Sequence, residues 1–240
     1  MARDFFISVA MATYNGEKYI EKQIKTILDN FEDNDELIIS DDGSKDATLD
    51  IIKSFNDPRI KLFDGPKKGI KQNFANALSK CSGKYIFLSD QDDVWAKGKV
   101  NTVLKAFEET GALVVNHDCD LKQEDGTLIE ESYFKFRNCS KGYFKNFVRT
   151  TYLGCCMAFD TRLKKEILPI PDNIDMHDQW IGLLGDRHNG MLFIPDKLIT
   201  YVRHEGTGSD CFHHYPVPKM IKNRILLFIN LILRKKIKMR

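Results

Sequence analysis

Little in this sequence suggests a secreted scaffold, a zinc module or a membrane span. Its six cysteines, at 81, 119, 139, 155, 156 and 211, show no C-x-x-C spacing. A zinc site needs such spacing and a disulfide framework an oxidising compartment, so reduced core thiols are the expectation. Asn138-Cys139-Ser140 is formally a glycosylation sequon, irrelevant in a cytoplasmic chain. No apolar run approaches the roughly 20 residues of a membrane span. Internal repeats and low-complexity segments are absent. The chain passes from Met1 straight into a strand pattern with no signal-peptide cleavage region, which predicts a cytoplasmic location. What the C-terminal end lacks is acid: residues 219–240 carry eight Lys or Arg and no Asp or Glu. The formal net charge of +2 hides this asymmetry, because outside that tail 28 basic residues face 34 acidic ones. The body has no basic stripe interleaved with stacking aromatics, so nucleic acid is not an expected partner.

What is present is enough apolar material for a good core, in one large domain or two small ones, at 42% hydrophobic and 11% aromatic over 240 residues. Strand and helix patterns alternate from the start. Phe5 to Ala12 reads as a strand, and Tyr19, Ile20, Ile24, Ile27, Leu28 and Phe31 recur at helical spacing. Leu37–Ile39 is a short buried strand, Ala47 to Phe55 a helix, Ile60–Phe63 a strand, Ile70 to Ser79 a helix and Tyr85–Leu88 a strand. This order predicts an α/β fold with a doubly wound, mainly parallel sheet and right-handed crossovers. Val100–Glu109 should be a helix and Ala112–Asn116 a strand, while 117–150 reads as an insertion that shapes a pocket. Tyr152 to Phe159 reads as a strand interrupted by Gly154, Asp160–Leu168 as a short helix, and Met191–Ile194 and Leu198–Val202 as the last two strands.

Two of these strands end in acid. Ser40-Asp41-Asp42-Gly43-Ser44 follows the second, and Ser89-Asp90-Gln91-Asp92-Asp93 the fourth. Strand ends of a doubly wound sheet face a common crevice, where such folds bind ligands. Three carboxylates in four positions repel one another, so the second cluster calls for a cation or an alternating proton; oxygen donors suit Mg²⁺ or Mn²⁺. Helix capping is the competing explanation, and it accounts for one Asp or two, with Asp93 the best candidate.

With both clusters in view, the chain resembles the inverting family-2 glycosyltransferases of the GT-A fold. The matching residues are Ala12-Thr13-Tyr14-Asn15, Asp41-Asp42-Gly43-Ser44, Asp90-Gln91-Asp92-Asp93, His177-Asp178-Gln179-Trp180 and Tyr201-Val202-Arg203-His204, in the family's order over roughly residues 5–205. The resemblance implies a catalytic domain over 1–210, with a nucleotide-binding half to about 110 and an acceptor-binding half beyond it. It implies a nucleotide-diphosphate-sugar donor, a glycan or lipid-linked glycan acceptor, a divalent cation, and transfer with inversion. Thr13, Tyr14 and Asn15 would line the base and ribose pocket. Asp41 and Asp42 would accept hydrogen bonds from base and ribose, and Asp90 would sit near the ribose or metal. Asp92 would bind the metal and His204 complete its shell. Gly154 would lie near the acceptor, and Asp178 would be the general base. Trp95, His177 and Trp180 are candidates for the pocket wall, with core packing the alternative for both tryptophans. The acid that usually precedes the base is His177 here, and an Arg-Asn pair in the third helix of many relatives is replaced by Lys71-Gln72-Asn73, so Lys71 or Lys68 would meet phosphate, or else Arg162 and Arg203. Gln91, Trp95 and the His-Asp-Gln-Trp run resemble bacterial rhamnosyltransferases of surface-polysaccharide assembly, which adds dTDP-rhamnose to UDP- and dTDP-sugars as donors to consider.

The alternatives are a sugar-1-phosphate nucleotidyltransferase, whose early Gly-x-Gly-x-Arg loop is missing here, and an inactive binding relative, which would be expected to lack Asp92 or Asp178. The tail at 211–240 holds nine apolar residues, Ile225–Leu233, between cations. That pattern suits an interfacial helix on an anionic cytoplasmic leaflet, a peripheral membrane contact through 219–240, with a disordered segment as the alternative.

Overall fold

A computed structural model describes residues 3–204 and 216–236. The sequence-based boundary at 210/211, Cys211, His213 and His214 lie outside the described residues.

The chain opens with β1 (Ile7–Thr13), α1 (Ile20–Leu28), β2 (Glu36–Asp41), α2 (Thr48–Ser54), β3 (Ile60–Asp64), α3 (Ile70–Lys80) and β4 (Tyr85–Ser89). β5 (Val94–Trp95), α4 (Lys99–Thr110), β6 (Val114–Gln123), β7 (Leu128–Glu130), α5 (Tyr133–Arg137) and α6 (Tyr143–Val148) follow. The last elements are β8 (Met157–Asp160), α7 (Lys164–Ile167), α8 (His177–Arg187), β9 (Met191–Arg203) and α9 (Val217–Leu233). The strands form one sheet in the order β3-β2-β1-β4-β8-β6-β9-β5, with β7 paired to β6. β1 runs parallel to β2 and β4, and β2 to β3, whereas β8 is antiparallel to both its neighbours.

Every residue of β1 is buried. Because side chains alternate across a strand, Ile7, Val9 and Met11 enter one core with α1 and α4, while Ala10 and Ala12 enter another with α3 and α8. Two cores on two faces are what the doubly wound expectation required. The register puts Thr13 opposite Asp41 and Met11 opposite Ser89, so β1, β2 and β4 end at one edge of the sheet. Gly83 permits the approach to β4: a Cβ there would lie 2.5 Å from the Ile7 carbonyl carbon and the Ser8 nitrogen.

Three expectations change. The apolar run before Phe159 is not one strand, because Gly154–Cys156 forms a 3₁₀ turn and pairing begins only at Met157. Met191–Arg203 is one long strand with register shifts against β6, not two. No helix starts at Asp93; α4 begins at Lys99. Asp93 therefore caps nothing.

Candidate active site

At the C-terminal edge of β1, β2 and β4 lies a cleft of about 640 Å³. Thr13, Tyr14, Asp42, Asp90, Gln91 and Asp92 line one side, and Gly154, Met176, His177 and Asp178 the other. Strands supply the first group by ending there. The 3₁₀ turn and the N-terminus of α8 supply the second.

The loops after β1 and β2 are held by their own acids. Asp41 accepts hydrogen bonds from the Gly43 and Ser44 amides at 3.0 and 2.7 Å and from the hydroxyls of Ser44 and Thr13 at 2.6 and 2.8 Å. Buried and fully engaged, it organises the turn and does not line the cleft, a correction to its expected ligand contact. Asp42 does line it, but its two oxygens accept the Lys67 and Gly69 amides at 2.6 and 2.7 Å and so clamp the 65–69 loop over the opening. Asn15, in a left-handed conformation at φ 47°, accepts from the Lys45 amide and donates its own N–H to Ser44 Oγ. It fastens one loop to the next and stands outside the lining. Gln91 pairs with the Tyr14 backbone through both ends of its amide, at 2.9 and 3.1 Å.

Lys71 does not reach the cleft. Its ammonium donates to the carbonyls of Asp172 and Ile174 at 2.6 and 2.5 Å, pinning the loop before α8. The cations at the cleft are Lys45 and Lys67, which the sequence argument missed although Gly65-Pro66-Lys67-Lys68-Gly69 had the look of a loop. Arg162 pairs with Asp160 at 2.8 Å, outside the cleft lining. Both tryptophans belong to the core. Trp95 is 4% exposed and packs on Phe87, with the Lys99 ammonium 3.9 Å from its ring centroid. Trp180 is fully buried and donates to the Ile167 carbonyl at 3.0 Å. Neither forms the pocket wall.

The acidic floor is short of donors. Burial, then the charges of Asp92 and Asp178, push the Asp90 carboxyl up to about 7. Asp93 is 2% exposed, its oxygens meet no N–H or O–H donor but only the Cys155 thiol, and burial, then the charges of Asp92 and Asp90, hold its carboxyl well above the ordinary carboxylate range. Ligating atoms of Asp90, Asp93 and Cys155 lie within 4.8 Å of one another. Burial keeps the Cys155 thiol protonated, so the oxygens are the donors that count for a hard cation. His204 Nε2 lies 2.8 Å from Asp92 Oδ2, its ring stacked on Tyr19 at 4.5 Å. The two expected metal ligands thus meet, Asp92 from the loop after β4 and His204 from just past the end of β9. A buried Asp93 carboxylate with only a thiol for a donor, beside Asp90 and Asp92, fits a divalent cation.

Across the cleft, burial pushes the Asp178 carboxyl up to about 6, against the pull of backbone N–H groups of Gln179 and Gly154. The Gln179 amide donates to Asp178 Oδ1 at 2.6 Å, which fixes the carboxylate at the first turn of α8. His177 stacks on Phe74 at 4.1 Å, and burial pulls its pKa down to about 3, so it is a neutral wall. Gly154 packs against both: a Cβ there would be 3.2 Å from His177 Nε2 and 3.5 Å from Asp178 Cβ. Beneath this turn Lys99, buried and drawn down to about 8 by desolvation, donates to the Cys155 carbonyl at 3.0 Å. Nothing in the sequence marked that lysine.

Sheet order, strand-end acids and the facing carboxylate define the class, a GT-A-type α/β domain. The model of Glycosyl transferase family 2 matches residues 8–168, and the chain belongs to that family. It is 30% identical over 180 residues to the GalNAc(5)-diNAcBac-PP-undecaprenol β-1,3-glucosyltransferase of Campylobacter jejuni, across 73% of this chain and 56% of that protein. The fold is similar to S. aureus TarS solved with UDP-GlcNAc, with a TM-score of 0.73 at 19% identity over 96% of this chain and 67% of the other. It is also similar to the mannosyltransferase PcManGT of Pyrobaculum calidifontis, solved with GDP-Man and Mn²⁺, with a TM-score of 0.61 at 16% identity over 95% of this chain and 70% of that one. The chain thus spans only about half the length of the Campylobacter relative.

Proposed function

We propose that this chain transfers a sugar from a nucleotide-diphosphate donor to a hydroxyl of a glycan or lipid-linked glycan, with inversion and with Mg²⁺ or Mn²⁺ bound. The observation that carries the reading is one cleft with an acidic floor at Asp90 and Asp92 and, among the described residues, a single carboxylate, Asp178, on the opposite wall. Inverting transfer needs this asymmetry. One base takes the acceptor's proton on the face opposite the leaving group, and no acid has to protonate a diphosphate.

Asp90, Asp92 and Asp93, with His204 beside Asp92, would hold the cation. When bound, the cation neutralises the charge that develops on the departing diphosphate. Lys45 and Lys67 add positive charge at the same end. Thr13 and Tyr14 line the nucleotide side, and the Asp42 clamp holds the 65–69 loop over it. On the acceptor side, Asp178 takes the proton at its carboxylate, while neutral His177 and Gly154 shape the wall without competing for that proton.

The relatives point to the donors worth testing first. The Campylobacter protein is named as a glucosyltransferase acting on an undecaprenol-linked glycan, and TarS was solved with UDP-GlcNAc. UDP-sugars therefore come before dTDP-rhamnose, and a polyprenol-linked acceptor in surface-polysaccharide assembly is the class to try. Such an acceptor brings a membrane with it, although no helix among the described residues is long and apolar enough to cross one. Thermal-shift screening of UDP-, dTDP- and GDP-sugars with Mn²⁺ or Mg²⁺ is the test. Stabilisation that needs both nucleotide and metal is expected; absence of any metal-dependent stabilisation across the panel would overturn the reading.

A further inference from the structure

The C-terminal helix presents apolar side chains to solvent on the side where a surface helix should be polar. In α9 the buried stripe is Leu227 and Leu231, which join the core beside α7 and α8. At 100° per residue, Val217, Ile221, Ile225, Phe228 and Ile232 fall on a second stripe. That stripe is exposed, with Phe228 at 53% and Ile232 at 64%. It does not end at the helix. α6 continues it with Phe144, 82% exposed, and Val148, 65% exposed, joined to α9 by contact of the Phe147 and Phe228 rings at 6.1 Å. The groove between the two helices holds about 460 Å³ and is lined almost wholly by apolar side chains.

Charge decides what covers this face. Lys219 and Lys222 flank it at one end and Lys235 and Lys236 at the other, all exposed, and residues 216–236 contain no acid. A second copy would bring the same cations against these. A surface that is apolar, broad and ringed by cations matches the acyl boundary and headgroups of an anionic bilayer.

The face is also tied to the cleft. Asn223 of α9 donates to Asp175 at 2.7 Å and Asn230 to Asn173 at 2.8 Å, so α9 grips the loop that leads into Met176, His177 and Asp178. From the other side, the Gln179 side-chain Nε2 donates to the carbonyls of Asn146 and Phe147 in α6, at 2.9 and 3.3 Å. We infer that the α6–α9 face docks on an anionic phospholipid bilayer and holds the acceptor side of the cleft beside it. The docking stands on the surface alone; the advantage for a lipid-linked acceptor rests on the transferase reading.

Vesicle sedimentation tests the docking without using the reaction. The full chain is spun with vesicles of phosphatidylcholine alone or with about one third phosphatidylglycerol. Binding to the anionic vesicles is expected to be at least about tenfold tighter and to weaken with salt. The pair Phe144→Ser with Phe228→Ser, and separately Lys222→Glu with Lys235→Glu, should each reduce it by about tenfold or more. These side chains are exposed, so the thermal melt should stay unchanged. Absence of anionic preference, or unchanged binding in both double variants, would overturn the proposal. So would a concentration-dependent dimer that the apolar pair abolishes while vesicle binding is missing. A negative result here leaves nucleotide- and metal-dependent stabilisation of the cleft intact, so the two readings fail separately.

Discussion

At the scale of single residues, the two sides of the cleft differ in how their carboxylates are treated. Asp41 and Asp42 spend their oxygens on loop amides and hydroxyls, which makes them parts of the scaffold. Asp178 is desolvated and left with its carboxyl pushed up to about 6, near the pH at which a base works best. Below about 6 Asp178 carries a proton and cannot accept another, so kcat/KM should fall as pH drops through that value and level off above it. A pH profile of kcat/KM, which reports the free enzyme, checks this, and a flat profile between pH 5 and 8, roughly the range in which carboxylate bases are tuned, would count against Asp178. The lysines divide just as clearly. Lys67→Met should raise the donor KM by about tenfold or more, the loss of one charge-assisted contact to phosphate. Lys71→Met should leave it unchanged, because that ammonium is occupied by two carbonyls. Steady-state kinetics with donor varied separate the two.

At the scale of elements, the cleft depends on strands that end level. Gly83 is where β4 comes against β1, and Gly83→Ala puts a methyl group 2.5 Å from backbone atoms that have no side-chain freedom to yield. A loss of about 1–3 kcal/mol is expected, read as a fall in melting temperature of roughly 2–4 °C per kcal/mol. The strands themselves were legible in the sequence because buried parallel strands are short apolar runs and their helices carry a 3.6-residue stripe. Acid at the ends of β2 and β4 was legible for the same reason, since those runs stop abruptly at Asp41 and Asp90. Less could be read where tertiary contact overrides local pattern. Apolar Tyr152–Phe159 reads as a strand with Gly154 as an interruption in it, yet the chain turns at Gly154 to meet α8 and the strand begins only at Met157. Trp95 and Trp180 sit within motifs and read equally as pocket wall or core; their burial makes them core, as aromatic size favours whatever the neighbouring motif. Lys71 and Lys67 are both loop-to-helix cations, and only the fold distinguishes the one that pins the 172–174 loop from the one that faces the cleft.

At the scale of the whole molecule, the parallel strands β1, β2 and β4 carry the cleft wall with Asp42, Asp90 and Asp92, while a separate block, α6, α8 and α9 with the Gly154 turn, carries the wall with Asp178. Asp92 stands at the end of β4 and meets His204 from the far end of β9, whereas Asp178 is held by its own helix and by Gln179. The central claim is that metal-assisted donor binding and proton removal are separate tasks of the two walls. Paired measurements of donor affinity and turnover in Asp92→Asn and Asp178→Asn test it most directly, with Mn²⁺ present throughout. In the Asp178 variant turnover should fall by about 10²–10⁴-fold with donor affinity unchanged. In the Asp92 variant the metal-dependent part of donor affinity should disappear. Equal loss of donor binding and turnover in the Asp178 variant would contradict the account.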